Sequence, residues 1–249
     1  MKTRRSKTIW VLVLALAVLL LGAGLLLHRL GARPSSLYES VVDTFFTENT
    51  DAAGAEIPDF DGRDSVTLNG NRPLFTEAER SAKPYVSFSA FDDLGRTGAG
   101  TAMLGPELLP TKERGPVGDF RPSGWHTVRY DDLIEDHFLY NRCHVIGYLL
   151  CGDNATPENL FTGTRYLNSS SMLEYEMKVS YYIHRTGNHV AYRVTPEYEG
   201  KNLVATGVRM EAWSIEDSGK GLRFHVFVYN IQPGIIIDYR TGDSRRAGQ

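Results

Sequence analysis

Between Leu167 and Asn230 the spacing of the apolar residues changes once, and that change limits the fold more than any other feature of the chain. Over residues 167–184 the apolar side chains include Met172, Tyr175, Val179, Tyr182 and Ile183, in steps of mostly three or four. Such steps gather them on one side of an amphipathic helix, and Thr186-Gly187-Asn188 is a fitting stop. From His189 the period drops to two. Residues 189–196, 203–214 (around Gly207) and 222–230 alternate, and Asp217-Ser218-Gly219-Lys220-Gly221 is a hairpin turn between the last two. Residues 235–239 predict a short buried strand, and residues 245–249 a tail. A helix beside a run of antiparallel strands predicts an α+β fold, with a central antiparallel β-sheet and flanking helices.

The stretch before the helix is punctuated in the same way. Residues 65–68 read as a strand closed by Asn69-Gly70-Asn71, residues 75–83 as a helical turn, and residues 85–88 as a strand. A Gly-rich loop from Asp92 leads into a strand at 99–104, and residues 126–130 predict another strand. The glycines follow neither a strand-GxGxxG-helix pattern nor a GxxxxGK[ST] loop, which argues against nucleotide binding by those routes.

The amino terminus is of another kind. After the basic start MKTRRSK, residues 9–27 hold no charge. At about 1.5 Å per residue such a run crosses about 30 Å of hydrocarbon. The basic residues before it predict a cytoplasmic amino terminus. The expected layout is a basic tail (1–8), a transmembrane signal-anchor (9–27), a spacer (28–58) and an extracytoplasmic folded domain (59–244), secreted if cleavage falls near Ala32. Five of the 27 basic residues lie in residues 1–30, which hold no acid, so the remainder is net −8. A protein that coats nucleic acid should be basic; this one would have to meet nucleic acid at a local site, helped by a cation. Cys143 and Cys151 form no CxxC pair. They are either free thiols or a disulfide closing a small loop.

The chemistry concentrates between Leu139 and Glu176. On a strand, Arg142 and His144 share a face. A neutral imidazole can take a proton from water near neutral pH, and Arg142 suits a phosphodiester or a surface ion pair. Asn168 offers a neutral oxygen that suits only a hard cation; its alternative role is a helix N-cap. Glu176 could hold the waters of such an ion, or be one more exposed helix carboxylate like Glu174. Eight residues of α-helix separate Asn168 from Glu176, about 80° in direction, so both can face one point.

Four blocks in order carry a resemblance: Pro122-Ser123-Gly124-Trp125; Leu139-Tyr140-Asn141-Arg142-Cys143-His144-Val145-Ile146-Gly147-Tyr148; Asn159-Leu160-Phe161-Thr162-Gly163-Thr164-Arg165-Tyr166-Leu167-Asn168; and Val226-Phe227-Val228-Tyr229-Asn230-Ile231-Gln232-Pro233-Gly234-Ile235. Over residues 114–242 the chain resembles the DNA/RNA non-specific endonucleases of the ββα-metal (His-Me finger) superfamily. It is most similar to their membrane-anchored or secreted bacterial branch, which includes DNA-entry nucleases. The resemblance implies hydrolysis of phosphodiester bonds in DNA, and in RNA, with Mg²⁺ (or Mn²⁺) and 5′-phosphate products. It implies that His144 is the general base, Asn168 the direct metal ligand and Glu176 the acid holding the metal's waters. Asn159 matches a second site asparagine that orients the metal site or the base. Arg142 matches the motif's arginine, and Arg114 a basic residue that meets the phosphate. Two positions depart from the commoner motif: Asn141 stands where Asp is usual, and Cys143 where Gly is usual. Those departures motivate the alternative, a non-catalytic DNA-binding or uptake module on a degenerate nuclease fold.

Overall fold

The computed structural model describes residues 57–248. The expected tail and anchor lie outside them, as does the spacer up to residue 56. Among the described residues no helix is long and apolar enough to cross a membrane.

In chain order the strands are β1 (Ser65–Thr67), β2 (Tyr85–Phe88), β3 (Gly100–Leu104), β4 (Tyr140–His144) and β5 (Leu160–Thr164). They continue with β6 (Val190–Glu197), β7 (Gly207–Ser214), β8 (Arg223–Tyr229), β9 (Ile235–Ile237) and β10 (Ser244–Arg246). The helices are α1 (Glu77–Arg80), α2 (Tyr148–Cys151) and α3 (Met172–Thr186). Six strands make one antiparallel sheet in the order β1-β8-β7-β6-β3-β2. The domain is therefore α+β with a central antiparallel sheet.

The period-two pattern sets which side chains face the helix. Tyr192 pairs with Ala212 and Ala212 with Phe224; Val194 pairs with Met210 and Met210 with Val226. This face and the apolar side of α3 (Met172, Val179, Tyr182, Ile183) form one buried cluster. Val179 and Ile183 are almost wholly buried, each contributing roughly 1.5–3 kcal/mol of transfer free energy. Gly187, at φ 71°, ends α3 in the left-handed conformation. On the opposite face Arg193 donates to Glu211 (2.7 Å) and Glu79 (2.9 Å), and Glu211 accepts from the Leu74 amide. Phe60 stands edge-on to Tyr229.

A second antiparallel pair, β4 with β5, lies outside the main sheet, with His144 opposite Leu160 and Arg142 opposite Thr162. The chain then passes directly into the long helix, so the order is strand, strand, helix. Beneath β4 a smaller cluster holds Tyr130, Ile134, Leu139, Tyr140 and Ile235.

Four expectations need correction. Residues 126–130 do not form a strand. They make one bridge, Arg129 to Phe138, and the returning arm is turned by His137 at φ 69°. Of the tail expected at 245–249, Arg245 and Arg246 belong to β10, which pairs with β9, and Arg246 bonds Asp132 at 2.5 Å; residue 249 lies outside the described residues. The strand at 235–239 is only partly buried, because β9 has only β10 beside it and Ile236 faces solvent. The long helix starts at Arg165, before the expected Leu167, because the Thr164 hydroxyl accepts from the Leu167 amide at 3.0 Å and caps it.

Candidate active site

His144 ends β4 with its ring almost fully buried. One ring nitrogen, Nε2, lies 2.9 Å from the Asn154 carbonyl. A carbonyl only accepts, so Nε2 carries the proton and Nδ1 keeps its lone pair. Nδ1 faces Arg114, whose Nη2 is 3.4 Å away. Burial, and then the Arg114 charge, hold the imidazole below its usual range; the Asn154 carbonyl and Asp153 pull the other way. The result is a neutral imidazole whose Nδ1 accepts one long hydrogen bond from Arg114, in the cleft that both residues line.

That cleft, about 300 Å³, is lined by His144, Arg114, Gly147, Arg165, Asn168 and Glu176 among others. Asn168 sits in a π-helical turn, Leu167–Ser171, that precedes α3. Its amide is not a cap: Thr164 fills that role, and the Asn168 amide nitrogen donates to Asn141 Oδ1 at 3.1 Å. The π turn also changes the angular relation to Glu176. It absorbs about one extra residue, so eight residues act as seven and the two side chains differ by only about 20° instead of 80°. Both line the same cleft.

Glu176 is 6% exposed, unlike Glu174 and Lys178, which pair with each other at the surface. Burial pushes its carboxyl up to about 8, against the opposing pull of the Gly147 amide and Arg114. Gly147 is the residue that makes room. A Cβ there would stand 2.5 Å from Glu176 Oε1.

The other expected residues take different places. Arg142 shares the strand face with His144 but lines an adjoining groove. Its guanidinium lies 4.5 Å from the Trp125 ring centroid, and its Nε donates to the Phe120 carbonyl. Asn159 is wholly buried, and its side chain hydrogen-bonds to Ile146 and Asp153. Its Oδ1 accepts from the Ile146 amide (2.9 Å) and its Nδ2 donates to the Ile146 carbonyl (3.1 Å). It staples shut the loop whose Asn154 carbonyl holds His144. Cys143 points into the core, and both cysteines are free thiols.

Several supporting residues are absent from the expected set. Arg165 pairs with Asp136 at 2.6 Å and reaches Asn141 Oδ1 at 3.5 Å. Asn230 Oδ1 accepts from the Thr164 amide, and Gln232 Oε1 from the Tyr166 amide, so the block after β8 braces the start of the helix. Thr164 could have been found as a cap three residues before Leu167; nothing local marks Asn230 or Gln232.

Among the described residues no three of His, Cys, Asp or Glu come together as a metal cage. The donors in the cleft are a neutral amide oxygen and a buried carboxylate. Oxygen donors of this kind suit a divalent cation that keeps most of its waters.

The strand-strand-helix frame thus brings an imidazole, an amide and a buried carboxyl to one cleft. The sequence model of the DNA/RNA non-specific endonuclease family matches residues 76–215, a span that includes His144, Asn159, Asn168 and Glu176. The chain belongs to that family and is a nuclease. It is similar to the crystal structure of NucA from Streptococcus agalactiae with no metal bound, at 28% identity over 72% of this chain and 86% of that one, with a TM-score of 0.63. NucA with magnesium bound matches at 27% identity over 72% and 85%, again with a TM-score of 0.63. The Sda1 nuclease with bound zinc is alike in fold, at 24% identity over 66% and 82%, with a TM-score of 0.56.

Proposed function

We propose that this chain is an extracytoplasmic endonuclease, anchored by residues 9–27 or secreted. In this reading it hydrolyses DNA and RNA phosphodiester bonds with little base reading and leaves 5′ phosphates. The observation that carries the proposal is the single cleft shared by His144, Asn168, Glu176 and Arg114, which come from β4, the helix and the loop before β4. The magnesium in the NucA relative supports a divalent cation, and Mn²⁺ would serve a site of the same oxygen chemistry.

Neutral His144 takes a proton at Nδ1 from the water that attacks phosphorus. The Asn154 carbonyl then steadies the imidazolium through Nε2. Arg114, beside Nδ1, binds a non-bridging phosphate oxygen and draws the phosphate to the base. Asn168 would hold Mg²⁺ through Oδ1, and Glu176 would accept hydrogen bonds from the ion's waters. When bound, the ion neutralises charge on the phosphate and on the leaving 3′ oxygen. A cation close to Glu176 also favours its ionised form, against the cost of burial. Asn159 acts at one remove, through the loop that carries Asn154. Arg142, beyond the cleft, holds the strand and not the reacting phosphate.

The test uses the full chain on supercoiled plasmid and on RNA in Mg²⁺, with and without EDTA. His144→Ala should abolish cleavage while circular dichroism and DNA binding stay near those of the parent. Cleavage by the variant at the parental rate would remove His144 as the base; cleavage by the parent in EDTA would remove the cation.

A further inference from the structure

The catalytic cleft opens, past Arg114, Arg165 and Asn168, into a second groove of about 470 Å³. Its residues divide by chemistry. One part is apolar and aromatic: Trp125, Val128, Phe138 and Tyr140. The other is basic: Arg114, Arg142 and Arg165, with no carboxylate among the lining residues, although Asp136 behind the groove pairs with Arg165 at 2.6 Å. In a domain that is otherwise acidic, such a groove is matched to a polyanion.

The aromatics are placed for more than charge. Phe138 is 40% exposed, and the Arg129 guanidinium lies 5.2 Å from its ring centroid. Trp125 is half-buried beneath Arg142. Two arginine-aromatic pairs therefore border one groove beside the site of cleavage. A duplex stacks its bases on one another and offers mainly phosphates. A single strand offers a flat base face with every phosphate, and both halves of this groove then find a partner.

We propose that the groove is a nucleobase subsite. Resting on the phosphodiesterase reading of the adjoining cleft, it takes an unstacked base of the strand being cut, from a nucleotide next to the scissile phosphate. The base lies against Phe138 and the Trp125 wall, and the flanking phosphate meets Arg142 and Arg165. The subsite reads a π-face and not a base edge, so it adds affinity for single strands without adding sequence preference.

The test uses the full-length His144→Ala chain, which should bind without cutting. Fluorescence anisotropy compares a labelled short oligothymidylate with an abasic strand of equal length and charge. The oligothymidylate should bind on the order of tenfold more tightly. Adding Phe138→Ala should remove most of that ratio while leaving the abasic affinity unchanged, and Phe138→Tyr should keep it. Equal, measurable binding of the two strands, or an unaltered ratio in Phe138→Ala, would overturn the subsite and leave the phosphodiesterase reading standing. Binding of neither strand would overturn both.

Discussion

Asn141 Oδ1 accepts a hydrogen bond from Asn168 Nδ2 at 3.1 Å. The direction of that bond is fixed from outside the pair. Arg165, held by Asp136, has only donors, and its Nη1 reaches the same Asn141 oxygen at 3.5 Å. With its oxygen committed, Asn141 takes the nitrogen of Asn168 and leaves Asn168 Oδ1 to the cleft. Asn141, where Asp is commoner, therefore acts on Asn168, which is the metal side of the proposed site. Removing the acceptor in Asn141→Ala should weaken Mn²⁺ binding about 10-fold or more, as outer-sphere changes do. Asn141→Asp keeps the acceptor and adds a negative charge, so it should bind Mn²⁺ more tightly than the parent. Titration calorimetry of the apo chains measures both.

Glu176 makes a prediction about stability and pH. Its folded-state pKa, about 8, lies above the ordinary 4.5. The folded chain thus holds a proton that the unfolded chain gives up between those values. The stabilisation is complete below about 4.5 and is lost as pH rises through about 8. In EDTA the melting temperature of the parent should fall across that window relative to Glu176→Gln, which cannot ionise, by an amount equivalent to a few kcal/mol. Mg²⁺ should close the gap in the parent and do little for the variant. The same melting curves in both chains, with or without Mg²⁺, would mean that Glu176 is not an isolated buried acid.

For His144 the sign is opposite in kind. Burial and Arg114 keep the imidazole below its ordinary 6.5. The acid limb of kcat/KM should accordingly fall below pH 6.5, with activity persisting in mild acid. Arg114→Ala removes a positive charge next to Nδ1, eases protonation and should shift that limb upward, apart from any loss in KM. A limb that does not move would show that Arg114 works on the phosphate alone.

Much of this frame was legible in the chain. The turn at Asn69-Gly70-Asn71, the strand at 85–88 and the paired strands β7 and β8 follow from period and turn chemistry, which are local. The spacing of Asn168 and Glu176 pointed both to one side of a helix, but the π turn that aligns them is not written in apolar spacing. The strand expected at 126–130 failed for a related reason: alternation describes a face, and pairing with the returning arm stops at the one Arg129–Phe138 bridge, whose last bond is from the Leu139 amide to the Val128 carbonyl. The site was legible in residue types and less so in roles. Asn159 is a brace for the His144 loop, and Arg165, which orients Asn168 through Asn141, stands three residues before it with no local mark of its function.

Cys143, the second departure from the commoner motif, is accommodated across the hairpin. It is fully buried, and Gly163 of β5 lies against it, so close that a Cβ on Gly163 would stand 2.3 Å from Cys143 Sγ. The Cys143 thiol fills the space on one strand, and the glycine on the other strand leaves that space open. Gly163→Ala should therefore overpack the hairpin and cost about 1–3 kcal/mol. Cys143→Gly combined with Gly163→Ala restores the room and should recover much of that loss, so the two effects should not add. Urea unfolding of the parent, both single variants and the double variant measures the coupling. Additive losses would show that the two side chains do not compete for one space, and the packing account of Cys143 would fail.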